Sequence, residues 1–121
     1  MESPVSSVKK PIQSGFHSAQ ARRARIAACI RSLPKGRVST YGAIAKAAGW
    51  TGAARQVAVV LRQVPGLPWY RVVGSGGAIK VPGEGAAEQR FRLQMESVTF
   101  RGARVNMKVH EHKFPRARRK N

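Results

Sequence analysis

Five carboxylates accompany twenty-three lysines and arginines in this chain of 121 residues, leaving a formal charge of +18. Networks of internal ion pairs therefore cannot hold the fold together, because the cations far outnumber their partners. Covalent staples are excluded as well: the single cysteine, Cys29, permits no internal disulfide and no cysteine-based metal cluster. What remains is the packing of apolar stripes, and a composition that is 42% hydrophobic suffices for one modest core at this length.

The same imbalance points to a partner. A surface so poor in carboxylates attracts polyanions, and nucleic acid is the expected one. A ribosomal-type or merely soluble basic protein would share the composition. No apolar run is long enough to span a bilayer, and the first twenty residues lack the apolar core of a signal segment. No membrane partner is expected, and the expected location is cytoplasmic, in association with the nucleoid.

Residues 1–17 mix Ser, Pro, Gly and Lys with few apolar side chains and read as a flexible arm. Residues 108–121 hold six Lys and Arg against Glu111 and read as a basic tail. The domain is expected between them, over 18–107. A helix over 18–33 is predicted from Ile26, Cys29, Ile30 and Leu33, spaced i, i+3, i+4, i+7, which makes Cys29 a core residue. Pro34 and Gly36 end it. Ser39 or Thr40 can cap a short helix over 41–48, closed by Gly49. Thr51 and Gly52 turn the chain into a helix over 53–63, with Ala54, Val57, Ala58 and Leu61 as its inner stripe and Arg55, Gln56, Arg62 and Gln63 outside.

Two short helices joined by a tight turn match a helix-turn-helix unit. Beyond a loop over 65–68, Arg71, Val72 and Val73 read as a buried strand and 78–81 as a return strand across a glycine-rich turn. A helix over 85–96 and a hairpin of 98–100 with 103–107 complete the pattern. The expected fold is α+β, mostly helical: a winged helix-turn-helix with a small hairpin wing.

Three segments carry more information: PKGRVSTYG (34–42), AARQV (53–57) and PWYRVV (68–73). In order and spacing, from about Arg25 to Glu96, they resemble the O6-alkylguanine-DNA alkyltransferases. In those enzymes the last segment reads Pro-Cys-His-Arg-Val, and its cysteine takes the alkyl group from guanine. Here Trp69 occupies the cysteine position, and an indole offers no thiolate-like nucleophile. The chain therefore resembles the alkyltransferase-like proteins, which carry tryptophan there and lack the enzymes' separate N-terminal domain, as the short arm before Ser18 would fit. The resemblance implies a protein that is no enzyme, binds O6-alkylguanine in double-stranded DNA by minor-groove contact and nucleotide flipping, and hands the lesion to nucleotide excision repair proteins.

Position by position, the resemblance implies that Tyr41 presses on the phosphate beside the lesion and that Arg55 enters the stack in place of the flipped base. Ala54 and Gln56 would lie near the groove floor, and Ser75 would offer a DNA-contacting hydroxyl, although a plain turn serine fits it nearly as well. Tyr41, Trp69 and Tyr70 would wall the lesion pocket, with Arg71 a structural or pocket-wall residue. Tyr70 departs from the family's histidine, which with a glutamate matching Glu96 helps deprotonate the cysteine; Glu96 is then free to cap or to pair with Arg71. Val64 replaces an asparagine that braces the active-site turn. No cofactor and no metal are expected, His110 and His112 having no further ligands nearby in the sequence, and a monomer is expected. Two rival readings are a sequence-specific winged-helix regulator and an alkyltransferase or glycosylase enzyme.

Overall fold

The computed structural model describes residues 18–115. The flexible arm expected over 1–17 and the last residues of the basic tail, 116–121, lie outside the described residues. Ser18 caps the first helix, α1 (Ala19–Arg31), by accepting a hydrogen bond from the Ala21 N–H. Thr40, rather than Ser39, does the same for α2 (Tyr41–Ala47), accepting from the Ala43 N–H at 3.1 Å. Gly49 and Gly52, at φ +83° and +87°, turn the chain between α2 and α3 (Ala54–Gln63). Left-handed backbone is strained for any residue with a Cβ, so these glycines fix where the turn falls.

Helices α1, α2 and α3 pack together around Ile26, Ile30, Ile44, Val57 and Val60. Two expectations shift here. The buried stripe of α3 runs Ala53, Val57, Val60, rotated away from Ala54 and Ala58, which are only partly covered. Of the predicted stripe of α1, Ile26, Ile30 and Leu33 are buried, whereas Cys29 is only half-buried against this core and Ala27 is buried beside them.

A 3-10 turn (Trp69–Arg71) leads into β2 (Val72–Val73), which pairs in parallel with β1 (Ser39–Thr40), Ser39 against Val72 and Thr40 against Val73. Neighbouring residues of a strand face opposite ways. Val72 accordingly joins the helical core, and Val73 joins a second cluster with Val38, Leu93, Val98 and Val105. This two-residue ladder thus separates two cores. It also corrects the predicted strand, since Arg71 belongs to the 3-10 turn and residues 78–81 form no return strand; Ala78 makes a single bridge to Arg104.

Gln89 of α4 (Glu84–Met95) donates to the carbonyls of Tyr70 and Val72 at 3.0 and 2.8 Å, docking that helix on the 3-10 turn. The wing is an antiparallel hairpin, β3 (Phe100–Arg101) with β4 (Arg104–Val105), shorter than predicted. A short helix, α5 (Met107–His110), follows the hairpin, the Val38 N–H donates to the His110 carbonyl, and the His112 N–H donates to the Val38 carbonyl. His110 is buried, accepts from the Thr99 N–H at 3.0 Å and approaches the Gly36 carbonyl. Although it falls within the basic tail expected over 108–121, it ties the end of the described chain to the loop after α1.

Candidate nucleic-acid interface

The first turn of α3 points Arg55 into solvent, and the chain around it forms an open groove of about 950 Å³. Tyr41, Ala54, Arg55, Gln56 and Ser75 all line it, so five residues singled out in the sequence converge although they come from three separate segments. Thr40, Trp50 and Lys80 line it too. Sequence reasoning missed them: Trp50 sits in the turn between α2 and α3, and Lys80 belonged to a supposed strand. Arg22 lies over the Trp50 ring, 4.9 Å from its centroid, which holds the indole at the groove's edge. Burial pushes the Tyr41 phenol up from its ordinary pKa, so the hydroxyl stays neutral and able to donate to a phosphate oxygen.

Trp69 and Tyr70 pack edge to face, ring centroids 5.9 Å apart. The single pocket expected from Tyr41, Trp69 and Tyr70 is divided. One cleft, about 370 Å³ and mainly apolar, lies between Tyr41 and Trp69 and is completed by Leu61, Arg62, Lys80 and Pro82. Another, on the far side of Trp69, is lined by Tyr70, Arg71, Arg31 and Arg92. Trp69 is the wall they share.

Tyr70 is turned toward Glu96 instead. The Glu96 carboxylate accepts from the Tyr70 hydroxyl at 3.0 Å, from the Gly36 N–H at 2.9 Å and from Arg71 through two guanidinium nitrogens. A third nitrogen of Arg71 donates to the Leu33 carbonyl. Burial pushes the Glu96 carboxyl up, but the hydrogen bonds from Arg71, Gly36 and Tyr70 outweigh it and hold the group below the usual glutamate range. Arg71, expected as a structural or pocket-wall residue, spends its donors on fastening the Trp69 turn to the end of α4 and to the loop after α1. Val64, the second departure from the alkyltransferase pattern, packs against the helical core.

A groove edged by cations and aromatic rings and opened at a helix-turn-helix receives a polyanion with bases that can stack, so fold and site define a DNA-binding domain. The chain belongs to the family described as the DNA binding domain of 6-O-methylguanine DNA methyltransferase, which matches residues 21–98. A DNA base-flipping protein of Vibrio parahaemolyticus is 44% identical over 77 residues, covering 61% of this chain and 77% of that protein. A DNA base-flipping protein of Escherichia coli is 42% identical over 82 residues, 65% of this chain and 64% of its own length. Among solved structures, Schizosaccharomyces pombe Atl1 in complex with damaged DNA containing O6-carboxymethylguanine superimposes with a TM-score of 0.67 at 27% identity, over 79% of this chain and 98% of that one. The OGT of Mycobacterium tuberculosis in complex with DNA superimposes with a TM-score of 0.55 at 30% identity, over 61% of this chain and 48% of that one. No helix among the described residues is long and apolar enough to cross a membrane.

Proposed function

We propose that this protein recognises O6-alkylguanine in duplex DNA by flipping the nucleotide out of the stack and does no chemistry on it. The observation that carries the reading is the convergence of Tyr41, Arg55 and Ser75 on one open groove with Trp69 at the back of the adjoining cleft. Small side chains at Ala54 and Gly52 let the first turn of α3 approach a minor groove closely. Arg55 fills the space left by the extruded base, Tyr41 holds the neighbouring phosphate, and the alkylated base stacks in the cleft between Tyr41 and Trp69. Extrusion costs a few kcal/mol of stacking and pairing, which a guanidinium plane in the gap and an aromatic pocket for the base offset.

Non-catalysis rests on three supports. Trp69 stands where the related enzymes carry the acceptor cysteine. Tyr70, bonded to Glu96, replaces the histidine that would activate a thiol. The lone Cys29 sits half-buried on α1, where burial pushes its thiol up and disfavours the nucleophilic thiolate. The bound complex then marks the site for nucleotide excision repair proteins and shields the lesion from an alkyltransferase, in the cytoplasm at the nucleoid.

Competition binding tests the reading at matched salt, with duplexes identical except for one O6-alkylguanine. Tighter binding to the damaged duplex, with masses of protein and DNA unchanged after incubation, is the expected result. Equal affinity for both duplexes combined with dependence on base sequence would identify a regulator instead. An alkylated protein or a released base would identify an enzyme.

A further inference from the structure

Lys80 is the one residue besides Tyr41 that lines both the open groove and the apolar cleft beside Trp69. Its position is set by the fold. The Gly74 N–H donates to the Ala78 carbonyl at 2.7 Å, closing the turn so that residue 80 returns across residue 74. A Cβ on Gly74 would fall 2.6 Å from Lys80 Cγ and 2.7 Å from Cδ. Gly74 has φ −79°, an ordinary value for any residue, so a Cβ there meets the lysine stem and, at 3.3 Å, the Ala78 carbonyl rather than a strained backbone. The stem thus lies against Gly74, in a residue that lines both groove and cleft.

The cleft's charge is one-sided. Arg62 is its other ionic lining residue and no carboxylate lines it. Among the described carboxylates, Glu88, Glu96 and Glu111 pair with other cations, and Glu84 lies outside the lining. A neutral methyl or ethyl adduct would need only the Trp69 and Tyr41 faces and the apolar side chains of Leu61 and Val72.

We infer that Lys80, supported by Arg62, makes the cleft selective for O6-alkylguanines whose substituent ends in an anion, such as a carboxylate. This rests on the proposed function, since it names which lesions that site prefers. Lys80 and Arg62 are exposed, so the ammonium meets the anion as a charge-assisted pair at the edge of a cleft with apolar walls, and that pair weakens with salt. The sulfur-free, acid-free lining leaves nothing to repel it.

Three duplexes test the inference: one with O6-carboxymethylguanine, one with its neutral isostere O6-carbamoylmethylguanine, and one unmodified. The wild-type chain is expected to bind the carboxylate lesion roughly fivefold to tenfold more tightly than the amide lesion, and less so as salt rises. In Lys80→Met the two lesions become equal within about twofold while both still exceed plain DNA. Gly74→Ala, which keeps the charge but displaces its stem, is expected to reduce the same preference. Equal wild-type affinity for the two lesions, or a preference that survives in Lys80→Met, overturns the inference. If wild type separates neither lesion from plain DNA, the lesion-recognition reading itself falls, and with it the role of Lys80.

Discussion

Arg55 stands exposed in the first turn of α3, held by no hydrogen bond or ion pair among those identified in the described residues, which leaves its guanidinium free to enter a base stack. Arg55→Ala is expected to weaken binding to lesion-bearing DNA far more than to plain DNA, as measured by titration of the matched duplexes; equal losses on both would reduce Arg55 to a phosphate contact. Glu96 is the opposite case, a carboxylate fully engaged by Gly36, Tyr70 and Arg71. Its carboxyl is held below the usual range, so its contribution is present above the unfolded glutamate pKa of about 4.3 and is lost as pH falls through the folded value. Glu96→Gln should therefore lower Tm at neutral pH yet flatten the acid limb of a Tm-against-pH curve. Tyr70→Phe removes one of those bonds and is expected to cost about 0.5–1.5 kcal/mol in urea denaturation. Trp69→Cys should not yield a fast alkyltransferase, because Tyr70 is no histidine base; mass spectrometry after exposure to alkylated DNA checks this.

Helices α2 and α3 owe their relation to a turn of Trp50, Thr51 and two left-handed glycines. Nothing lies within 4 Å of a Cβ built on Gly52, so Gly52→Ala meets only backbone strain. A loss of about 1–2 kcal/mol is expected by denaturant titration. Much of this level was legible in the sequence. The course of α1, the start of α2 and the glycines after it follow from a 3.6-residue period and capping chemistry, which depend on residues within a few positions of one another. The inner face of α3 is not legible in the sequence because alanine, valine and leucine fill every position of 57–61, so composition does not mark which side is covered. The strand at residues 78–81 was misjudged because alternation at Ala78 to Val81 arises here from a lysine that folds back over Gly74.

At the level of the whole molecule, the end of the described chain is part of the domain. His110 and His112 exchange backbone hydrogen bonds with Val38, and Phe114 packs against the helical core. Deleting residues 108–121 is therefore expected to destabilise the fold, whereas deleting 116–121 leaves these contacts intact. The latter segment still carries four cations, Arg116, Arg118, Arg119 and Lys120. If they meet phosphates, its removal reduces the slope of log K against log salt by up to about 4, with lesion preference unchanged. A fluorescence anisotropy series in salt measures both quantities together.

The sequence by itself determined that the fold rests on packing, that its partner is a polyanion, and that two short helices meet at a glycine turn. These properties reside in composition, in local periodicity and in short motifs. The tertiary structure decided how those parts meet: Trp69 divides two clefts, Arg71 turns inward, and Lys80 spans groove and cleft. Such arrangements join residues far apart in the chain, as when the Gly36 N–H reaches Glu96 across 60 positions. Nothing in a window of a few residues encodes a contact of that range; it exists only once helices and strands have packed.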